Sequence, residues 1–122
     1  MKKTIFILVV ILVVCSQLAF AIDIKNIIAY PVPFNPKKSV QYITINNPSN
    51  TPTGNFKIKV QVYDVNGDKV FYRDYTSFPI RWNGRNNSGL LAKPGFYIIK
   101  LEVEDSDTGG YNKKIIRILI RY

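Results

Sequence analysis

The segment FKIKVQVYDVNGDKVFYRDY, residues 56–75, decides the fold class of this chain. Within it Ile58, Val60 and Val62 alternate with polar residues, and a period of two places the apolar side chains on one face of a half-buried strand. Asn66-Gly67 follows directly, a pair that is typical of hairpin turns because both residues tolerate positive φ. The segment therefore predicts an antiparallel hairpin closed by a two-residue turn.

The same alternation continues toward the carboxyl end of the chain. Residues 97–103 alternate apolar and polar side chains, residues 106–110 carry turn-forming types, and residues 113–122 alternate again. These segments predict a second antiparallel hairpin. The isoleucines expected to pack inward from its last strand are Ile116, Ile118 and Ile120.

Three shorter apolar segments complete the set of predicted strands. They span residues 24–30, 40–45 and 80–82. About seven strands, with turn signals every 8 to 12 residues or so, favour an antiparallel β-sandwich of immunoglobulin type. Pro31, Pro33 and Pro36 are expected to hold the chain extended and to block pairing at a sheet edge.

The first 21 residues predict export from the cytoplasm. Lys2 and Lys3 precede an apolar run over residues 5–14, and Ala19-Phe20-Ala21 then supplies a small-residue cleavage site. We expect cleavage between Ala21 and Ile22, which leaves residues 22–122 as one domain with no transmembrane span. Two alternatives remain: an uncleaved anchor over residues 4–22, although its purely apolar part is too short to span a bilayer, and lipidation of Cys15.

Composition excludes several kinds of chemistry from the exported domain. The chain has no His, and its one Cys lies in the predicted signal peptide. Catalysis by cysteine or by a serine–histidine pair and binding of zinc are therefore excluded. Glu102 and Glu104 share a strand face with Lys100, which favours cross-strand charge pairs over a catalytic pair. We expect no enzymatic activity and no cofactor.

Three motifs occur in fixed order: Tyr30-Pro31-Val32-Pro33-Phe34-Asn35-Pro36, then Val62-Tyr63-Asp64-Val65-Asn66-Gly67, then Trp82-Asn83-Gly84-Arg85-Asn86 through Gly89 to Pro94-Gly95-Phe96-Tyr97. Together they resemble the FlgD-like immunoglobulin-like family over about residues 24–120. That family includes the C-terminal domains of flagellar hook-capping proteins, and the C-terminal sorting domains of type IX secretion cargo are closely similar. The resemblance implies an immunoglobulin-like fold and a non-enzymatic role. Val32 and Asn83 depart from the family pattern, which has Asn and Asp there.

The residues in these motifs have structural interpretations. Trp82 is expected to fill the core, since a lone Trp in a small sandwich supplies apolar area that no other residue offers. The loop at residues 83–89 holds no carboxylate for calcium, and its Asn and Gly residues favour turn formation. An exposed Trp82 would instead support sugar binding.

The last predicted strand carries the strongest charge signal on the surface. Without Lys2 and Lys3 the net charge falls from +9 to +7. Basic residues are expected to face solvent together along this strand, where they form a candidate docking face for an acidic protein partner. An exported domain is not expected to meet nucleic acid, and solubility is the alternative role of the charge. The four residues are Lys113, Lys114, Arg117 and Arg121.

Three functional hypotheses follow. The first is an exported interaction module that docks with proteins of the envelope or cell surface by a sheet face or edge. The second is a freestanding type IX sorting domain, because Lys113-Lys114 also resembles the lysine-rich last strand of those domains. The third and weakest is a glycan-binding module that uses exposed Tyr63, Tyr72, Tyr75 and Trp82.

Overall fold

The computed structural model describes residues 24–38, 41–48 and 55–122. The predicted signal peptide and its cleavage site lie outside these ranges. The described residues form seven strands and no helix, so none of them forms a helix that could cross a membrane. The strands are β1 (Ile28–Tyr30), β2 (Ile43–Asn46), β3 (Phe56–Tyr63), β4 (Lys69–Tyr75), β5 (Ile80–Trp82), β6 (Gly95–Asp105) and β7 (Tyr111–Ile120).

Two antiparallel sheets share one hydrophobic core. One sheet has the strand order β1-β2-β5 and the other β4-β3-β6-β7. Ile58, Val60 and Val62 are buried as their alternation predicts, and they pack with Ile43 and Ile80 of the smaller sheet. The prediction of an all-β fold is therefore confirmed for the described residues, and the inner faces of both sheets contribute to the core.

The turn between β3 and β4 differs from its prediction. The backbone N–H of Asp64 donates to Asp68 O at 3.0 Å and that of Gly67 donates to Asp64 O at 3.1 Å, so three residues form the loop rather than two. Gly67 alone takes the positive φ, +84°. The Asp64 carboxylate accepts from the backbone N–H groups of Asn66 and Asp68. These extra hydrogen bonds stabilise the longer turn, which local Asn-Gly preference does not reveal.

The first predicted strand is shorter than its apolar residues indicate. Only Ile28–Tyr30 is paired, whereas residues 25–26 form a turn closed by a hydrogen bond from Ile27 N to Ile24 O at 3.3 Å. Ile24 and Ile27 are nevertheless buried. They are buried because this turn packs against the core, so the apolar pattern here indicates core contact and not strand pairing.

After β1 the proline-containing segment crosses to the other sheet. Phe34 forms a parallel bridge with Ile120: Phe34 N donates to Leu119 O at 2.8 Å, and Arg121 N donates to Phe34 O at 2.9 Å. The Phe34 side chain is fully buried. The prediction that the prolines hold the chain extended and block edge pairing is therefore incomplete, because this segment itself pairs with the end of β7.

Candidate functional site

The first and third sequence motifs meet at the ring of Trp82, where Phe71 of β4 joins them. The centroid of the Trp82 ring lies 6.5 Å from that of Phe34, 5.7 Å from that of Phe71 and 6.5 Å from that of Tyr97. The indole Nε1 donates to Arg85 O at 2.9 Å, and the residue is 2% exposed. The prediction of a core Trp is confirmed. A ring buried in this way cannot stack on a sugar, so the glycan hypothesis loses Trp82.

The opening motif packs directly against the third. Gly84 has φ of +76°, and a Cβ there would lie 2.8 Å from Pro36 Cβ and 2.9 Å from Phe34 Cε1. Asn35 stabilises the same segment by accepting from the Lys37 N–H at 3.0 Å. Packing around Gly84 therefore gives Phe34, Pro36 and Gly84 a structural role.

Asparagine side chains hold the loop that follows β5. Asn83 Oδ1 accepts from Arg85 N at 3.1 Å, and Asn86 Oδ1 accepts from the N–H groups of Ser88 and Leu90. Arg85 Nη1 also donates to Gly89 O at 3.1 Å. The loop is thus built from side-chain to backbone turns, as its composition predicts.

One residue of this loop has a role that sequence reasoning missed. Asn87 Oδ1 accepts from Tyr72 N at 2.9 Å, and its Nδ2 donates to Tyr72 O at 3.0 Å. The side-chain amide therefore occupies the outward backbone groups of the edge strand β4. The local sequence pattern could not have predicted this contact, because Tyr72 lies on β4 and Asn87 lies in the loop after β5, 15 residues further along the chain.

Tyr97 is the first buried residue of β6, and its hydroxyl holds the segment that precedes this strand. Its hydroxyl donates to Lys93 O at 2.6 Å, four residues upstream. Burial raises the pKa of Tyr97 above 10.0, and the nearby Asp64 and Tyr122 raise it further. The hydroxyl therefore stays protonated as a donor throughout the neutral range.

The four basic residues of the last strand do not lie on one face. Lys114 pairs with buried Leu101, so strand alternation turns it toward the inner side, where its Nζ donates to Lys25 O at 3.0 Å. Lys113 and Arg117 are exposed on the outer side. The prediction of a common face is therefore wrong for Lys114. Arg121 is exposed beyond the end of β7.

Apolar side chains accompany Arg117 on the outer face. Phe96 is 64% exposed and pairs with Leu119, while Ile98 is 40% exposed and pairs with Arg117. Ile115 lies two residues before Arg117 in β7, so it is on the same face, and it is 58% exposed. We call Phe96, Ile98, Ile115, Arg117 and Leu119 the outer patch. The sequence alone does not reveal the outer patch, because apolar residues occur on both faces of β7.

The opposite end of the same face carries balanced charge. Lys59 pairs with Asp74 on one side and Glu102 on the other, and Glu102 also pairs with Lys113. A hydrogen bond from Lys100 to Glu102, 3.1 Å between Nζ and Oε1, raises the pKa of that lysine. Glu102 thus lies opposite lysines on both neighbouring strands, while its ion pair is with Lys100 of its own strand. Across the described ranges no three His, Cys, Asp or Glu residues are grouped to hold a metal ion.

The fold is shared with segments of two solved proteins. PorZ of Porphyromonas gingivalis, an essential bacterial surface component of its type IX secretion system, aligns with 80% of this chain at 22% identity and a TM-score of 0.56. The dimeric latent form of PorU from the same organism aligns with 77% at 19% identity and a TM-score of 0.61. The alignments span 12% of the PorZ chain and 9% of the PorU chain.

Neither protein-family models nor curated proteins match the chain. Membership of the FlgD-like family therefore stays a prediction. At these identities the two solved structures establish a similar fold, in agreement with the all-β architecture of the described residues. They do not identify any functional residue of this chain.

Proposed function

We propose that the protein is an exported, non-enzymatic immunoglobulin-like module that binds another protein of the bacterial envelope or surface, in association with a type IX secretion system. The observation that carries this proposal is the fold shared with a segment of PorZ, a surface component of such a system. The predicted signal peptide at residues 1–21 supports the same compartment.

Topology supports the immunoglobulin-like assignment. The order β4-β3-β6-β7 groups β3, β6 and β7 as the C, F and G strands are grouped in immunoglobulin sandwiches, with β4 added beside them. The hydroxyl of Tyr97 bonds to Lys93 O just before β6, which is the arrangement called a tyrosine corner. Both features are structural and need no cofactor.

The outer patch is the docking surface that we assign to this function. It joins exposed apolar side chains to Arg117, with Arg121 also exposed at the end of the same strand. Interfaces favour aromatic residues and arginine at their centres. The partner that fits is a protein surface on which carboxylates surround apolar side chains. The acidic residues of this outer face lie at its other end, opposite lysines, so they do not neutralise Arg117.

Reversing the charge of the outer patch should weaken this docking. We expect Arg117→Glu to slow association with the partner by about tenfold and to make the remaining binding less sensitive to salt, because electrostatic attraction acts mainly on encounter. Phe96→Ser should raise the dissociation rate instead. Pull-down of partners from envelope extract, followed by kinetic binding measurements, tests both variants.

Lys57→Glu is the matched control, since Lys57 is exposed on the same face but pairs with Glu104 at its far end. An unchanged set of partners with Arg117→Glu and Phe96→Ser would contradict the docking role. The basic residues would then serve solubility, and the edge of β7 would become the next surface to test.

The second candidate function, a freestanding type IX sorting domain, is favoured by the same structural likeness together with Lys113-Lys114. Cell fractionation of a host with and without a working type IX translocon separates the two. A sorting domain should accumulate in the periplasm when the translocon is disabled, whereas a periplasmic docking module should keep its location. In both cases we expect the exported protein to begin at Ile22 by N-terminal sequencing; protein found in the cytoplasm would contradict both.

A further inference from the structure

A groove of about 550 Å³ lies where the edge strands of the two sheets face each other. One wall comes from β4 and the other from β5 and the loop after it. Its volume falls within the range of small-ligand sites, about 300–1,000 Å³. We call it the arginine groove, and the side chains that matter for its chemistry are Tyr42, Arg73, Tyr75, Arg81 and Arg85.

The charge of the groove is one-sided. Three arginines and no Asp or Glu occur among its lining residues. Asp74, which follows Arg73, turns to the outer face of the sheet, where it pairs with Lys59. In the described part of the chain the one side-chain ion pair within 4 Å is that of Lys100 with Glu102. The arginine groove therefore offers an uncompensated positive site for an anion.

Aromatic rings stand beside these cations. Tyr42 is 45% exposed. The Arg73 guanidinium lies 5.4 Å from the centroid of half-buried Tyr75. Burial raises the pKa of Tyr75 above 10.0, although the charge and hydrogen bond of Arg73 act in the lowering direction. The groove thus combines flat apolar ring faces, tyrosine hydroxyl groups and guanidinium groups.

The backbone of the edge strand β4 cannot pair with an added strand at Tyr72, near its centre. Both outward groups of Tyr72 are already bonded to Asn87, and β5 is only three residues long. An extended peptide gains affinity in such grooves mainly through main-chain pairing. Since that pairing is blocked at Tyr72, recognition at the groove depends more on the side chains, and this favours a ligand with rings and hydroxyl groups over a peptide strand.

We propose that the arginine groove binds a glycan that carries carboxylate or phosphate groups. Arg73 and Arg81 hold the acidic groups, since planar guanidinium matches carboxylate and phosphate oxygens bidentately. Tyr42 contacts the sugar rings. Arg85 contributes charge while its Nη1 remains bonded to Gly89 O. The site differs from the outer patch, which lies on β6 and β7, so this proposal and the docking proposal fail or succeed separately.

Calorimetric titration of the full-length protein with two acidic probes tests the proposal. Oligogalacturonide supplies carboxylates and yeast phosphomannan supplies phosphates, and binding of either supports the site while indicating which acidic group it takes. Arg73→Gln and Arg81→Gln should each weaken binding by about tenfold, the loss expected for one charged hydrogen-bonding partner. Both residues are exposed, so the thermal midpoint of unfolding should stay close to that of the wild type.

Three controls make the test decisive. Methyl-esterified oligogalacturonide has the same rings without the charge and should bind at least about tenfold more weakly than the free acid. Arg117→Gln removes one positive charge outside the groove and should leave glycan affinity unchanged. The proposal is overturned if neither acidic probe binds, if the ester binds as well as the acid, if Arg117→Gln loses as much as Arg73→Gln, or if a polyglutamate peptide binds more tightly than both glycans.

Discussion

Replacing Trp82 with alanine should lower the free energy of unfolding by about 3 to 5 kcal/mol, the range for truncating a large aromatic side chain in a core. The ring contacts Phe34, Phe71 and Tyr97, which belong to separate segments of the chain. Its removal leaves a cavity between them. It also removes the donor to Arg85 O. Urea unfolding followed by circular dichroism measures the change.

Two further variants keep this prediction testable if Trp82→Ala does not fold. Trp82→Phe retains most of the ring volume but not the indole donor, and it should lose less than the alanine variant. Tyr72→Ala removes an exposed ring and should cost under about 1 kcal/mol. Equal losses for Trp82→Ala and Tyr72→Ala would contradict the core role of Trp82.

Substituting Gly84 with alanine should cost about 3 kcal/mol in unfolding free energy, for two separable reasons. The positive φ of this residue, +76°, disfavours any side chain, at about 1 kcal/mol or more. The added methyl group would also overlap Pro36 and Phe34 at distances below 3 Å, and overpacking of this kind costs about 1 to 3 kcal/mol. Denaturant unfolding of the purified variant gives the total.

Gly89→Ala separates the two contributions. Gly89 has a similar φ of +84°, but nothing lies within 4 Å of a Cβ placed there. Its substitution should therefore cost about 1 kcal/mol from backbone conformation alone. If Gly84→Ala and Gly89→Ala lost the same stability, the packing of the opening motif against the loop would not contribute as described.

Alternation of side chains was sufficient to predict much of the larger sheet. Residues 56–63 and 97–103 bury the apolar faces that their period of two requires. The prediction of one basic face was wrong because it did not apply this period to Lys114. Counted from Ile116, Ile118 and Ile120, the period of two places Lys114 on the inner face.

The arginine groove could not have been predicted from the sequence. Arg73 lies on β4 and Arg81 on β5, two strands that follow each other in the chain but belong to different sheets. Which side of each strand faces the gap depends on how the sheets stack. Likewise, the contact of Asn87 with Tyr72 requires the loop after β5 to lie against β4. Periodicity describes one strand at a time and carries no information on such contacts.

The bridge between Phe34 and β7 has a mechanical consequence. A force that draws residue 24 away from residue 122 acts along the segment held by two parallel hydrogen bonds, to Leu119 O and from Arg121 N. These bonds are loaded together, in shear, and the buried Phe34 ring must leave the core as they break. Tension that reaches Phe34 therefore has to break both hydrogen bonds together, so this clamp resists pulling more strongly than bonds that open one at a time.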